Sequence, residues 1–65
     1  MKSYSSREVM AILLQDGWYE VGHEGDHKQF KHPVKKGKVT VTHPVKTMPS
    51  HNIRSIARQA GITLP

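Results

Sequence analysis

Apolar positions along this chain recur with two different periods. Val9, Ile12 and Leu13 follow one another at helical spacing, with Met10 and Leu14 widening the stripe. Ser5 stands where an N-cap is needed, and Glu8, three residues on, completes a capping box. Tyr4 and Val9 are spaced for a hydrophobic staple. Gly17 ends this first helix, because glycine takes the left-handed conformation without penalty. The period then changes to two. Residues 18–23, 27–32 and 38–42 read as strands, rich in aromatic and β-branched side chains. Glu24-Gly25-Asp26 is a turn, residues 33–37 are a loop, and Pro33 and Pro44 bound the strands because proline cannot donate to a sheet ladder. A polar connector follows His43-Pro44. Helical spacing returns with Ile53, Ile56, Ala57 and Ala60, in a helix that starts near Pro49 or Ser50 and stops at Gly61. Ile62 can fold back on Ile56 or Ala57 as in a Schellman motif.

The predicted order is α-β-β-β-α, an α+β fold in one domain over residues 1–65, without repeat or linker. Strand parity predicts the faces. If Phe30, Val39 and Val41 meet the helices, then His27, Gln29 and Lys31 point away, with Lys38, Thr40 and Thr42. One sheet face carries both helices; the other is polar and basic, with an imidazole at its edge.

Charge sharpens that expectation. Residues 1–26 hold five acids and two bases, and residues 27–65 hold eight bases and no acidic side chain, a division of −3 against +8. Such a split gives one surface a positive potential that draws polyanions. A device for solubility alone would mix the signs, so nucleic-acid contact is the reading favoured, although an acidic protein partner would also suit it. Sixty-five residues leave no room for a deep cavity, so any site lies on the surface. There is no cysteine, which removes disulfides, thiolate chemistry and cysteine-ligated zinc and fits a reducing cytoplasm. Arg7 and Glu8 interrupt the apolar start, which therefore reads as no secretory signal, and no apolar run is long enough to span a membrane.

The candidate chemistry centres on His27. RNA carries its own nucleophile, a 2′-hydroxyl that attacks the adjacent phosphate once its proton is removed. An imidazole, with an unperturbed pKa of ~6.5, suits that task. Lys28 and Lys38 could stabilise charge on the phosphate, and Lys28, Lys38, Thr42 and His43 are unranked candidates to protonate the leaving oxygen. Asp26 could orient the His27 ring; alternation sends strand neighbours to opposite faces, so it reads first as turn chemistry. His23, His27, His32, His43 and His51 do not form a convergent set by parity, so no metal or other cofactor is expected; His32 and His43, each before a proline at a strand end, suit structural roles. Tyr19 is the aromatic placed to stack on a base, Trp18 and Phe30 being core. Lys28, Lys31, Lys38, Arg54 and Arg58 are the candidate phosphate-gripping cations, Arg54 and Arg58 lying one turn apart opposite the apolar stripe.

Four blocks of the chain carry a resemblance: Gly17-Trp18; Gly25-Asp26-His27-Lys28-Gln29-Phe30-Lys31-His32-Pro33; Gly37-Lys38-Val39-Thr40-Val41-Thr42-His43-Pro44; and Ile53-Arg54-Ser55-Ile56-Ala57-Arg58-Gln59-Ala60-Gly61. In this order, from about Ser5 to Ile62, they resemble the HicA toxins of HicA–HicB toxin–antitoxin pairs. The resemblance implies a double-stranded-RNA-binding-domain-like fold, α-β-β-β-α, with a three-stranded antiparallel sheet. It implies an RNase that cuts mRNA without the ribosome, with its catalytic histidine at His27; the residues themselves, with no cysteine and no convergent histidine set, make a metal-independent, cytoplasmic enzyme the expectation. It further implies a HicB-type antitoxin that covers the site, through which alone DNA would be met. Asp26 departs from the family pattern, in which serine most often precedes the histidine. Two other readings remain open: a non-catalytic double-stranded-RNA-binding module, and an interaction protein that docks an acidic partner.

Overall fold

The computed structural model describes residues 3–64. The elements are α1 (Ser6–Gln15), β1 (Tyr19–Glu24), β2 (His27–Lys31), β3 (Val39–Thr42) and α2 (Ser50–Ala60). The three strands form one antiparallel sheet in the order β1-β2-β3.

Each helix is delimited as its sequence dictates. Ser5 Oγ accepts from the Glu8 N–H, and Glu8 Oε1 accepts from the Ser5 N–H at 2.9 Å, closing the capping box. At the other end the Gly17 N–H reaches Leu14 O at 3.1 Å and the Trp18 N–H reaches Leu13 O at 3.0 Å. That is a Schellman pair, with Gly17 at φ 104°. Trp18 therefore belongs to the helix cap and not to the strand expected from residue 18; β1 begins one residue later. The same pair closes α2: Gly61 N–H to Arg58 O and Ile62 N–H to Ala57 O at 3.0 Å, with Gly61 at φ 64°.

Both helices and one sheet face share a single core. Val9 and Leu13 of α1, Ile53, Ile56 and Ala60 of α2, and Phe30, Val39 and Val41 of the sheet are buried together with Tyr4, Trp18 and Met48. Burying a side chain such as Phe30 stabilises by about 1.5–3 kcal/mol relative to leaving it exposed. The connector after Pro44, expected to be merely polar, supplies Met48 to this core. It is tied to the start of α1: the Met48 N–H donates to Tyr4 O at 2.8 Å, and the Ser6 N–H to Val45 O at 2.9 Å.

Pairing fixes the opposite face. His27 lies across from Thr42, Gln29 from Thr40, and Phe30 from Val39 in β3. In β1, Tyr19 pairs with Lys31, Gly22 with Gln29 and Glu24 with His27, around an irregularity at Val21. Since Phe30 and Val39 enter the core, the outer face runs in three rungs: Tyr19 and Lys31; Gly22, Gln29 and Thr40; Glu24, His27 and Thr42. No helix of the described residues is long and apolar enough to cross a membrane.

Candidate active site

His27 opens β2 directly after the Gly25-Asp26 turn. Its imidazole faces a shallow groove of about 210 Å³ between the outer sheet face and α2. His27, Thr40 and Thr42 form the sheet wall of that groove. Asn52, Ser55 and Gln59 form the helix wall, over a floor of Met48 and Ile56. On the other side of the ring a second hollow is bounded by Glu24, Gln29 and Thr40. The ring therefore stands as a ridge between two open depressions, where a polymer lying on the sheet would touch it.

Asp26 reaches the ring. Its Oδ1 lies 3.4 Å from His27 Nε2, with the two side chains 57% and 61% exposed. Strand alternation would have separated these neighbours, but Asp26 is in the turn, where alternation does not apply. The turn itself is held: Asp26 O accepts from the His43 N–H at 2.7 Å.

The lysines expected beside His27 are not gathered there. Lys28 has the opposite parity, pairs with Val41, and puts its Nζ 3.5 Å from Glu20 Oε1. Lys31 shares the outer face with His27, but four residues along the strand, about 13 Å at 3.2–3.4 Å per residue. Lys38 immediately precedes β3, whose pairing with β2 ends at Phe30 and Val39. Tyr19, 47% exposed, completes that distant rung. Arg54 and Arg58 are exposed on α2, turned away from Ile53, Ile56 and Ala60, and do not line the groove. Of the four residues considered for protonating a leaving group, Thr42 alone shares the groove.

The other histidines are placed differently. His32 Nδ1 accepts the Val34 and Lys35 N–H groups, each at 3.0 Å, so Nε2 carries the hydrogen and donates to Asp16 O at 2.8 Å. The ring also meets Trp18 edge-on at a centroid distance of 5.2 Å. Lys35 joins this cluster, with Nζ against Asp16 Oδ2 at 2.6 Å and against Ala60 O and Gly61 O at 3.0 and 3.1 Å. The Lys35 hydrogen bond and charge, with a further bond from Trp18 Nε1, hold the Asp16 carboxyl below its ordinary value. His43 Nδ1 lies 2.7 Å from Oγ of buried Ser6, which in turn accepts the Val45 N–H at 2.9 Å. His23 has the parity of Lys28, and His51 is exposed in the first turn of α2. Among the described residues no three of His, Cys, Asp and Glu converge as a metal site.

Three residues of the site, Asn52, Ser55 and Gln59, carry no signal in strand parity. They recur at helical spacing beside the apolar stripe, which is the trace they leave in the sequence.

A small α+β domain with one open sheet face can host many functions, and fold alone does not choose among them. The choice comes from comparison: a family model described as the HicA toxin of bacterial toxin–antitoxin systems matches residues 6–62. The chain belongs to the HicA toxin family. No individually curated protein matches it.

Proposed function

We propose that this chain is a metal-independent, ribosome-independent endoribonuclease that cleaves cytoplasmic mRNA with His27 as general base, and that a HicB-type antitoxin restrains it. The observation that carries this reading is the placement of His27: it lines the outer-face groove, while the rings of His32 and His43 are bonded into the fold.

RNA meets the molecule through the field of its basic half, which concentrates the polyanion near the surface. Lys31 and Lys38, with Tyr19 between strand and solvent, grip the backbone and stack a base at one end of the outer face. Arg54 and Arg58 add contacts along α2, and Lys28 adds charge from the other side of the sheet. The strand then runs down the sheet to His27. There the imidazole takes the proton of a 2′-hydroxyl, the oxygen attacks the adjacent phosphorus, and the bond to the 5′-oxygen breaks. The leaving oxygen takes its proton from solvent, to which so open a site gives access. The products are a 2′,3′-cyclic phosphate and a 5′-hydroxyl end. A positioned general base contributes roughly 10²–10⁴-fold.

The shallow site has no lid among the described elements, so restraint falls to another molecule. An acidic patch on the antitoxin would be steered onto the same basic surface and its bulk would cover His27.

The test is a single-stranded RNA with one 2′-deoxynucleotide at its cut position, incubated with the purified chain in excess EDTA. Cleavage of the all-ribose strand, with a cyclic phosphate product, and survival of the substituted strand are expected. Equal cleavage of both, or a strict need for an added divalent ion, would overturn the mechanism.

A further inference from the structure

Apart from His27, the groove beside it offers no ionisable side chain to a phosphate. Its lining holds no lysine, arginine, aspartate or glutamate; apart from His27 its polar groups are the hydroxyls of Thr40, Thr42 and Ser55 and the carboxamides of Asn52 and Gln59. Its floor is apolar, the scarcely exposed edges of Met48 and Ile56. An apolar floor with a rim of neutral donors and acceptors suits a flat heterocycle, whose face seeks apolar contact and whose edge seeks hydrogen bonds.

We infer that this groove receives the nucleobase next to the scissile phosphate and reads its edge, so that Asn52 and Gln59 of α2, and not the basic residues, set which sequences are cut. The inference rests on the ribonuclease reading above and names the part of the substrate that the groove takes.

Four features support it. A carboxamide offers a donor and an acceptor side by side, the pattern that pairs bidentately with base edges. Asn52 and Gln59 lie seven residues apart, two helical turns, along the groove wall. The wall is also fixed in place: Gln59 Nε2 donates to Ser55 Oγ at 3.3 Å, leaving its Oε1 to accept. The helix beneath is anchored by buried Ile53, Ile56 and Ala60 and by Lys35 on its last carbonyls. At about 210 Å³ the space fits one unstacked base and no duplex, as single-strand readers require.

The experiment compares wild type, Asn52→Ala, Gln59→Ala and the double variant on two substrates. One is a long mRNA of mixed sequence whose cut positions are mapped by end sequencing. The other is a set of oligoribonucleotides that differ only in the base beside the cut. Both side chains are exposed, so the variants should melt as wild type does. Cleavage should persist in the variants while the rate ratio between the best and worst base falls by about 5–150-fold, the loss of one bidentate contact. New cut positions should appear on the mRNA. Arg54→Ala, on the solvent side of the same helix, should lower all rates alike. Wild-type activity with unchanged base preference in the variants, or an equal loss at every site, overturns base reading while leaving the ribonuclease intact. Failure of the wild-type protein to cut RNA at all would overturn both.

Discussion

A histidine stands at each end of strand β2, and an aspartate lies beside each, yet the two ends are built in opposite ways. At the His32 end both ring nitrogens are occupied by the backbone, the ring abuts Trp18, and Asp16 turns its carboxylate to Lys35. At the His27 end the contact given to the ring is the 3.4 Å approach of Asp26, and the ring lines open grooves. The first arrangement has no nitrogen left for a substrate; the second has one. What separates the bonded histidine from the available one here is the occupancy of its two nitrogens, and neither residue type nor charge of the neighbour would have told them apart.

The largest effect should fall on the open end. His27→Ala is expected to cut RNA cleavage by roughly 10²–10⁴-fold while shifting stability by less than about 0.5 kcal/mol, measured by single-turnover cleavage beside a thermal melt. Undiminished cleavage would remove His27 from the chemistry. His32→Ala should do the reverse. It removes the ring's bonds to the Val34 and Lys35 N–H groups and to Asp16 O, each contributing about 0.5–1.5 kcal/mol. In a domain this small that lowers the melting temperature by about 4–8 °C per kcal/mol, with cleavage per folded molecule retained.

The glycines at the two ends extend the contrast. A Cβ at Gly17 would stand 2.8 Å from His32 Nε2, on a backbone at φ +104°. Gly25, in the turn before His27, has φ +61° and open space around an added Cβ. Gly25→Ala should cost about 1–2 kcal/mol for the left-handed conformation alone. Gly17→Ala should cost more, because the His32 ring and its three hydrogen bonds must also shift. Equal urea midpoints for the two variants would show that the ring yields freely.

The smallest effect is one of acid. The folded Asp16 carboxyl titrates below its ordinary value of 3.8 because Lys35 bonds and pairs with it. Its contribution to stability is therefore present above the unfolded carboxyl pKa and is lost as pH falls through the lower folded value. Asp16→Asn should flatten that part of the acid unfolding curve. Identical curves for wild type and Asp16→Asn would separate Lys35 from acid stability.

Much of the scaffold was legible in local signals. Ser5 with Glu8, and Gly61 with Ile62, announced their helix ends by side-chain type alone, and Phe30, Val39 and Val41 announced the buried face by parity. Two boundaries shifted for different reasons. Trp18 joins the cap of α1 through its local bond to Leu13 O, whereas His32 lies past the ladder with its ring bonded to Asp16 O, sixteen residues away. The site was legible in His27 and much less in its neighbours. Lys28 adjoins it in number, but one step along a strand is a change of face. Asp26 touches it because a turn does not alternate. Asn52, Ser55 and Gln59 enter because α2 packs along β3; residue spacing marks their common helix face but not the strand that this helix meets.

The Ser6–His43 contact has a consequence for motion. The His43 amide holds the turn that carries Asp26, and its ring is joined to Ser6 in the first turn of α1, which is bonded again to Val45. The turn before His27 is thereby linked through His43 to the start of α1 and to the connector, and these segments are expected to open together. Hydrogen exchange at the His43 and Val45 amides would then proceed at a common rate with that of Ser6. The edge that carries His27 is thus tied, through His43, to a helix end and a connector far from it in sequence.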